Sequence, residues 1–574
     1  MAPRKKPTAI RKATKSVVSR PAKVIKVTKP AITAPTSPQS TALPPSRAHH
    51  ASYHYPLLSD DKASSDALLA WFEGVEETRS MPWRKRWIDP KDFEGREQEL
   101  GSVLGKRAYE VWVSEVMLQQ TRVSTVIPYF NKWISKWPTV ENLAAANHDD
   151  VLSVWKGLGY YSRATRLHEG AKAMIAKSFG SSCLLPSDAT ELQEFPGIGR
   201  YTAGAVSSIA FGKAEPVLDG NVARVLSRQL GLYMDVKDKK ASDILWEQAD
   251  QLIKRVSNYT EASTSAIPGQ WNQALMELGS TICTPRPRCD ECPIQGTCRV
   301  YSEGQALSDK RQSPTVVPVV PDIEDACSLC ELLDTEDLVT APEQDDNEEK
   351  TRPTKKRKTG TKQANTISQY FLVGTPKSIA ETEDGDESGD SASNDPKKRK
   401  APVSAANSKF TSSYCSLFPK KSAKKKVAEE DCVVCLIEMA LSDGSSKWLI
   451  EQRPAKGLLA SLWQFPQCTL AASQSTPANR KTSAQDFVSS LDIGDIDTSK
   501  AHYVASFPPL VHVFTHLKLT MHAYHYKITA DKAEDVDLAC NGPLARKWVD
   551  TETMDDETLS TGMRKCWELV EKSL

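Results

Sequence analysis

Apolar residues recur at helical spacing through much of the first half of the chain. From about residue 67 to residue 279, large apolar side chains return every three, four or seven positions, as at Trp112, Val116, Val123, Ile127, Phe130, Ile134 and Trp137. This period is typical of helices that bury one face. Proline and glycine, for example Pro128 and Gly157, divide the pattern into short segments. Because no comparable strand alternation occurs here, we expect an all-α domain over residues 61–300.

The pattern changes twice after this domain. Acidic and basic blocks with few apolar residues predict a disordered charged linker over residues 301–428. Apolar or partly alternating segments then return at residues 432–437, 447–450 and 517–521, followed by a helix-like ending after residue 557. Short strands closed by a helix predict an α+β domain over residues 429–574.

Length and charge distribution add a third region at the N-terminus. A chain of 574 residues is too long for one hydrophobic core, so several units are expected. The formal net charge is only +1, yet no acidic residue precedes Asp60, while lysine and arginine recur from Arg4 to Arg47. Together with many proline, serine and threonine residues, this predicts a disordered basic arm over residues 1–60.

Cysteine usage depends on the compartment in which the protein works. The sequence has no run of about 20 apolar residues and no apolar segment after the basic start, so we expect a soluble intracellular protein. Its 13 cysteines are then better interpreted as metal ligands than as disulfides. Four of them form the pattern Cys-x5-Cys-x2-Cys-x5-Cys, namely Cys283, Cys289, Cys292 and Cys298. This spacing predicts a metal centre, and it suits both zinc and a 4Fe-4S cluster.

A glycine turn precedes a helix of small residues at residues 195–208. Gly197 and Gly199 leave backbone amides exposed at a helix N-terminus, which is a sequence-independent seat for a phosphate, although an ordinary turn between helices has the same pattern. About twenty residues later comes Asp219, within Leu-Asp-Gly-Asn-Val. The hairpin followed by this aspartate resembles the helix-hairpin-helix glycosylase superfamily over about residues 66–300.

Residues 113–121, Val-Ser-Glu-Val-Met-Leu-Gln-Gln-Thr, resemble the acid motif of the MutY family almost residue for residue. The resemblance implies that Glu115 protonates N7 of adenine, and that Asp219, with Asn221 beside it, stabilises the sugar cation or its covalent adduct. Hydrolysis of an N-glycosidic bond needs two such carboxylates in different environments, and the apolar neighbour Trp112 favours a raised pKa for Glu115. Outside this resemblance, Glu115 is a surface residue of a helix and Asp219 is a helix N-cap.

Further positions refine the resemblance. Tyr201 stands where the endonuclease III branch has a lysine that forms a Schiff base with the sugar, which implies a monofunctional glycosylase. Gln119, Gln120 and Tyr160 match MutY positions that enter the DNA around 8-oxoguanine, with a place in the core as the alternative for Tyr160. Relatives carry a 4Fe-4S cluster on the four cysteines, usually with six residues in the first gap, where this sequence has five, residues 284–288.

The C-terminal region also resembles MutY. Residues 457–466 and 511–517 are similar to its Nudix-like domain, but no cluster of glutamates that could hold magnesium follows the first segment. We therefore expect lesion recognition rather than pyrophosphate hydrolysis, with Phe514, Thr515 and His516 reading 8-oxoguanine. Thr515 replaces the usual serine and keeps its hydroxyl group. A plain hairpin tip is the alternative.

These observations predict an all-α helix-hairpin-helix glycosylase domain with an iron-sulfur cluster loop, followed by an α+β Nudix-like domain. The expected activity is monofunctional removal of adenine from A:8-oxoguanine or A:G pairs of double-stranded DNA in base excision repair, by a monomer. A glycosylase that removes thymine from G:T pairs and a catalytically silent DNA-binding scaffold are the competing hypotheses.

The linker contains shorter signals. Cys327 and Cys330 could contribute to a zinc site like that in the connector of mammalian relatives, but Ser227 lies where those relatives have a cysteine. Basic runs at residues 355–358 and 397–400 predict nuclear localisation. Residues 367–371 resemble the apolar half of a sliding-clamp peptide. The basic arm suits mitochondrial import or nonspecific DNA affinity, and composition does not choose between them.

Overall fold

A computed structural model shows helices in the first part of the protein and mainly strands in the second. It describes residues 47, 49–177, 183–260, 264–310, 327–331, 333, 403–422, 427–441, 444–454, 457, 459–471, 476–493, 496–514, 517–529 and 544–573. Among these residues, no helix combines the length and apolar character that crossing a bilayer would require. The order of elements confirms the predicted all-α domain followed by an α+β domain.

Twelve helices build the first domain within its described residues. They are α1 Lys62–Arg79, α2 Glu97–Leu118, α3 Val123–Lys136, α4 Val140–Ala144, α5 His148–Trp155, α6 Ser162–Lys177, α7 Ala189–Leu192, α8 Arg200–Phe211, α9 Gly220–Gln229, α10 Lys239–Val256, α11 Ala266–Thr281 and α12 Arg299–Lys310. The periodic residues Trp112, Val116 and Phe130 are buried in one continuous core, as the spacing predicts.

Helix α2 runs through the centre of this core. Every residue from 107 to 117 is buried, and α3, α6 and α8 pack around it. Removing a buried side chain such as Trp112 would cost about 3–5 kcal/mol through lost transfer energy and the cavity left behind. The end of α2 is therefore a rigid position for any polar residue that it carries.

Two glycines let neighbouring elements approach that end of α2. A Cβ atom on Gly204 of α8 would lie 2.2 Å from the carbonyl oxygen of Pro216, and one on Gly279 of α11 would lie 2.8 Å from the backbone of Asn221. Only glycine permits such close contact with backbone atoms. The segment that contains Asp219 is thus held tightly between α8 and α11.

Parts of the predicted arm and linker belong to the helical domain. Two 3-10 turns, Ala51–His54 and Leu57–Ser59, precede α1, and helix α13, Val403–Cys415, packs on α12. Buried Glu303 of α12 joins these segments, because it accepts hydrogen bonds from the hydroxyl groups of Tyr53 at 2.7 Å and Tyr414 at 2.6 Å and pairs with Arg47 at 3.0 Å. More of the chain is ordered here than the sequence predicts, since a few buried aromatic residues anchor otherwise polar stretches.

The second domain is built on one mixed sheet. Its strands are β1 Ala428–Ala440, β2 Ser446–Gln452, β3 Trp463–Gln464, β4 Gln467–Thr469, β5 His502–Ser506, β6 Leu510–Val513, β7 Leu517–Thr529 and β8 Arg546–Asp550. The main order is β3-β2-β1-β7-β5, with β1 and β7 parallel and the other pairs antiparallel. β4 pairs with β1, β6 with β7, and β8 with β2.

Helices cover both faces of this sheet. Along β1, Cys432, Val434 and Leu436 belong to one apolar cluster and the alternate residues to another, because successive side chains of a strand point to opposite faces. Helix α14, Pro477–Ser489, contributes to the second cluster, and helix α15, Thr561–Glu571, contributes to the first. Cys432 and Cys435 are therefore core residues of the sheet.

Candidate active site

Glu115 lies on the buried end of α2, and its side chain faces α8. The residue is 6% exposed, and its Oε2 accepts a hydrogen bond of 2.6 Å from the hydroxyl group of Tyr201. Burial raises the pKa of Glu115 to about 7, against the lowering effect of the Tyr201 hydrogen bond, and the nearby Asp219 raises it further. The surface-residue alternative is therefore wrong, and near neutral pH this carboxyl group can donate a proton.

Tyr201 occupies the first turn of α8. Burial, and then the charge of Glu115, raises the pKa of Tyr201 well above its usual value, so its hydroxyl group stays protonated. The same oxygen lies 3.0 Å from Sδ of Met276 on α11. Tyr201 thus orients Glu115 from a fixed position between two helices.

Asp219 caps α9 and is held as a hydrogen-bond acceptor. Its Oδ1 accepts the backbone N–H groups of Asn221 at 2.9 Å and Val222 at 2.7 Å, and its Oδ2 accepts the side-chain amide of Asn221 at 2.8 Å. Burial raises the pKa of Asp219, and these hydrogen bonds act in the opposite direction. The predicted N-cap is confirmed, whereas the catalytic role of Asp219 stays a prediction.

An arginine that the sequence did not single out links Asp219 to the cysteine loop. Arg224 donates to Oδ1 of Asn221 at 2.9 Å and to the carbonyl oxygen of Cys283 at 2.8 Å. It also donates to the carbonyl oxygen of Gly279 at 2.6 Å. Its position on one face of a short helix carries no spacing signal, so only the structure reveals the link.

A second arginine lies close enough to influence Glu115. Arg84, next to buried Trp83, donates to Oε2 of buried Glu277 at 2.6 Å, and Arg79 binds the other oxygen of that carboxylate. The charge of Arg84 lowers the pKa of Glu115 slightly against the effect of burial. The sequence gave no indication of Glu277, an acidic residue among the buried positions of α11.

The glycine turn before α8 faces an open groove. Gly197 has a positive φ of 83°, and a Cβ there would lie 2.9 Å from Cβ of Arg166. Gly199 caps α8 with extended backbone and open space around its Cα. Arg166 and Arg200 line the groove together with this turn. Amides at a helix N-terminus beside two guanidinium groups suit a phosphate of the DNA backbone.

Of the predicted DNA-facing residues, Gln119 lines this groove, together with Arg163. Arg163 holds the end of α2 by donating to three carbonyl oxygens, at 2.9 Å to Val116 and 2.7 Å to Gln119 among them. Gln120 follows with a positive φ of 56°. Tyr160 has a positive φ of 49° and is 51% exposed, so its assignment to the core is wrong. Arg163 was not identified from the sequence.

The four cysteines of the predicted metal centre line one cavity between α9 and α11. Despite the short first gap, Cys289 faces the same cavity as Cys283, Cys292 and Cys298. Arg228 of α9 donates to Sγ of Cys283 at 3.2 Å, which offsets the negative charge that bound thiolates carry. Four thiols around one mostly apolar cavity fit an iron-sulfur cluster.

A second group of metal-ligand residues joins the arm to the linker. His49, His54, Cys327 and Cys330 place one ligand atom each within 4.8 Å of one another. Nε2 of His54 lies 3.3 Å from Sγ of Cys327 and 3.4 Å from Sγ of Cys330. Ser227 donates instead to a carbonyl oxygen of its own helix. The two histidines were missed because more than 250 residues separate them from the cysteines, which no spacing rule spans.

The second domain contacts the first beside Tyr160. Lys156 donates to the carbonyl oxygen of Asp555, whose carboxylate pairs with Arg564 at 2.8 Å. Phe514 follows β6, and its N–H group donates to the carbonyl oxygen of Leu517 at 2.7 Å. The predicted reading residues Thr515 and His516 lie outside the described residues.

Two family models match the chain, one in each domain. Residues 113–251 match the HhH-GPD superfamily of base excision DNA repair proteins. Residues 438–569 match the NUDIX domain. The first range contains Glu115, Tyr201 and Asp219, and the second contains most of the sheet.

Several curated proteins resemble nearly the whole chain. The adenine DNA glycosylase of Mus musculus is 33% identical over 522 residues, which are 90% of this chain and 80% of the mouse protein. The Homo sapiens protein of the same name is 32% identical over 90% of this chain and 76% of its own length, and that of Schizosaccharomyces pombe is 30% identical over 80% of each. The chain therefore belongs to the MutY-type adenine DNA glycosylases of base excision repair.

Proposed function

We propose that this protein hydrolyses the N-glycosidic bond of adenine paired with 8-oxoguanine or guanine in double-stranded DNA. The observation that carries the proposal is the buried Glu115–Tyr201 pair with Asp219 close enough to influence it. Bond hydrolysis of this kind needs an acid for the leaving base and an anion for the sugar. The relatives' name supports adenine as the base.

Glu115 acts as the general acid. In its protonated form it transfers the proton to N7 of adenine while the bond between C1′ and N9 breaks, and the bonding electrons leave with the base. Tyr201 holds the carboxyl group in one orientation, and burial keeps the proton on it near neutral pH. Adenine thus departs as a neutral base.

Asp219 stabilises the positive charge that develops on the sugar. Hydrogen bonds from Asn221 and Val222 fix its carboxylate before the reaction, so little reorganisation is needed when charge appears. Water then adds to C1′, its proton passes to a carboxylate of the site, and an abasic site remains.

The reaction stops at the abasic site. Tyr201 occupies the position at which the endonuclease III branch carries a Schiff-base lysine, and a phenol forms no imine with the sugar. Borohydride treatment of enzyme and substrate DNA is therefore expected to trap very little protein. Strong covalent trapping would contradict monofunctional chemistry.

Lesion recognition is assigned to the turn between β6 and β7. The N–H group of Phe514 donates to the carbonyl oxygen of Leu517 at the two ends of this connection, and Thr515 and His516, which lie between them in the sequence, are outside the described residues. A Thr515→Ala, His516→Ala double variant is expected to lose its preference for 8-oxoguanine over guanine while still removing adenine. Unchanged preference would refute the role of this turn.

A single-turnover assay tests the activity. Duplex DNA with a central adenine opposite 8-oxoguanine is incubated with excess protein and then treated with alkali. Wild type and the exposed control variant Glu99→Gln are expected to produce alkali-dependent cleavage, and Glu115→Gln none. Cleavage of G:T substrates instead would favour a thymine glycosylase, and DNA binding without cleavage by wild type would favour a scaffold.

We also propose that Cys283, Cys289, Cys292 and Cys298 hold a 4Fe-4S cluster. The cluster, when bound, cross-links the loop and withdraws four thiols from solvent. Their shared cavity and the guanidinium of Arg228 support the assignment. Equal amounts of iron and acid-labile sulfide in the purified protein are expected, whereas zinc without iron would contradict it.

The second group, His49, His54, Cys327 and Cys330, is proposed to bind zinc. Two imidazoles and two thiols around one point match a tetrahedral structural site. The variant His54→Ala is expected to lose bound zinc and to keep its iron, while His50→Ala keeps both. Retention of zinc by His54→Ala would exclude this ligand set.

Localisation and clamp binding remain proposals that depend on segments outside the described residues. The basic runs at residues 355–358 and 397–400 support import into the nucleus, with mitochondrial import by the arm as a second route. A synthetic peptide of residues 360–375 tests clamp binding, and absence of binding would remove that proposal.

A further inference from the structure

A fifth cysteine faces the proposed cluster. Cys415 is the last residue of α13 and is 1% exposed, and its side chain lines the same cavity as the four cysteines of the Cys-x5-Cys-x2-Cys-x5-Cys pattern. It follows Cys298 by more than a hundred residues, so no spacing pattern includes it. The cavity therefore holds one thiol more than a four-ligand cluster requires.

Cys415 and Cys298 belong to one buried cluster, and Cys289 packs against it. The thiol of Cys415 interacts chiefly with that of Cys289, and Ser412, one turn earlier on α13, also lies beside Cys289. Ser408, one further turn back, donates to the carboxylate of Asp290. Residues 408, 412 and 415 lie on one face of α13, so the last two turns of this helix pack on the turn that contains Cys289.

Arg228 holds the segment after α13 in place. Its Nε donates to the carbonyl oxygen of Phe418 at 3.0 Å, while its Nη1 donates to Sγ of Cys283 at 3.2 Å. Phe418 is itself buried, with Arg47 over its ring. The same guanidinium therefore fixes both the first cluster cysteine and the chain that carries Cys415.

We propose that Cys415 is a reserve thiolate ligand that takes the place of Cys289 on the cluster. The exchange needs no oxidant. The Cys415 thiol gives up its proton and its sulfur binds iron, the bond between iron and the sulfur of Cys289 breaks, and Cys289 takes up the proton. The shortened first gap ends at Cys289, so the length of this gap bears directly on the position of that thiol. This inference rests on the proposed cluster.

Iron and acid-labile sulfide in the purified full-length protein test the exchange. The variant Cys289→Ser is expected to retain most of its cluster, whereas Cys292→Ser, whose thiol lacks this neighbour, loses most of it. The double variant Cys289→Ser, Cys415→Ser is expected to fall to the level of Cys292→Ser. If Cys289→Ser loses as much iron as the double variant, Cys415 is not a ligand.

A second measurement avoids any change in the four cysteines. Cys415→Val keeps an apolar side chain of similar size, so α13 can still pack. Iron release from this variant to a chelator is expected to be about tenfold faster than from wild type, because no spare thiolate holds the cluster when Cys289 opens. Equal release rates would overturn the proposal, and absence of iron from wild type would instead refute the cluster itself.

Discussion

Glu115 and Asp219 have the same functional group, and their surroundings give them opposite tasks. Glu115 accepts a single hydrogen bond in the core, and burial raises its pKa to about 7. Asp219 accepts three hydrogen bonds at a helix N-terminus, which favour its ionised form. The motif and the apolar neighbours in the sequence were sufficient to predict the raised pKa of Glu115. Burial raises the pKa of Asp219 as well, and the three hydrogen bonds act against that effect.

The acid role predicts a pH dependence. The single-turnover rate is expected to be constant below about pH 7 and to fall about tenfold per pH unit above it, because ionised Glu115 has no proton to donate. The measurement is the rate on A:8-oxoguanine DNA between pH 5.5 and 9, with DNA affinity as the control. A rate that stays constant up to pH 9 would assign the acid to another group.

Asp219 combines a structural and a chemical role that one substitution can separate. In Asp219→Asn, the side-chain oxygen can still accept the N–H groups of Asn221 and Val222, so the free energy of unfolding should change by about 1 kcal/mol or less. The loss of the anion should slow adenine release by about 100-fold or more. Asp219→Ala should lose both stability and activity. Comparable stability losses in the two variants would mean that the cap, rather than the charge, limits activity.

At the scale of elements, local sequence patterns predicted most of the helices and strands. The helical period, the glycine turn and the alternation of the strands could be recognised in the sequence because each lies within a short stretch of consecutive residues. Helix α13 and the arm turns were not, since Tyr53, Tyr414 and Phe418 are isolated apolar residues in polar stretches. The arginines that join elements, Arg163 and Arg224, were missed for a related reason: they donate to backbone carbonyl groups that are far away in sequence.

The close contact between α11 and the start of α9 predicts a sensitive position. Gly279→Ala would place a methyl group 2.8 Å from the backbone of Asn221, so α9 must shift and move Asp219 with it. A slower single-turnover rate and a lower melting temperature are expected. Gly74→Ala in α1 is the matched control, because its methyl group meets no atom within 4 Å and alanine favours a helix by about 1 kcal/mol. Equal behaviour of the two variants would show that α9 adapts freely.

At the scale of the molecule, the site depends on contacts between parts that are far apart in sequence. The arm and the linker meet at the His49–Cys327 group, α13 covers the cluster loop, and the second domain contacts the turn before Tyr160. Each contact joins segments that are far apart in the chain, and local sequence patterns do not predict contacts of this kind. The domains could therefore be predicted from the sequence, but the contacts that join these segments could not.

The contact between the domains predicts that Lys156 affects the preference of the enzyme for 8-oxoguanine over guanine. Lys156, four residues before Tyr160, donates to the carbonyl oxygen of Asp555, so its side chain helps to join the second domain to the first. Because a typical hydrogen bond contributes about 0.5–1.5 kcal/mol, Lys156→Ala should reduce the preference for 8-oxoguanine over guanine by about twofold to tenfold. Rates on both substrates would be compared with those of Lys132→Ala, an exposed lysine on α3. An unchanged preference would mean that DNA alone aligns the two domains, whereas equal loss of rate on both substrates would place Lys156 in DNA binding rather than in recognition.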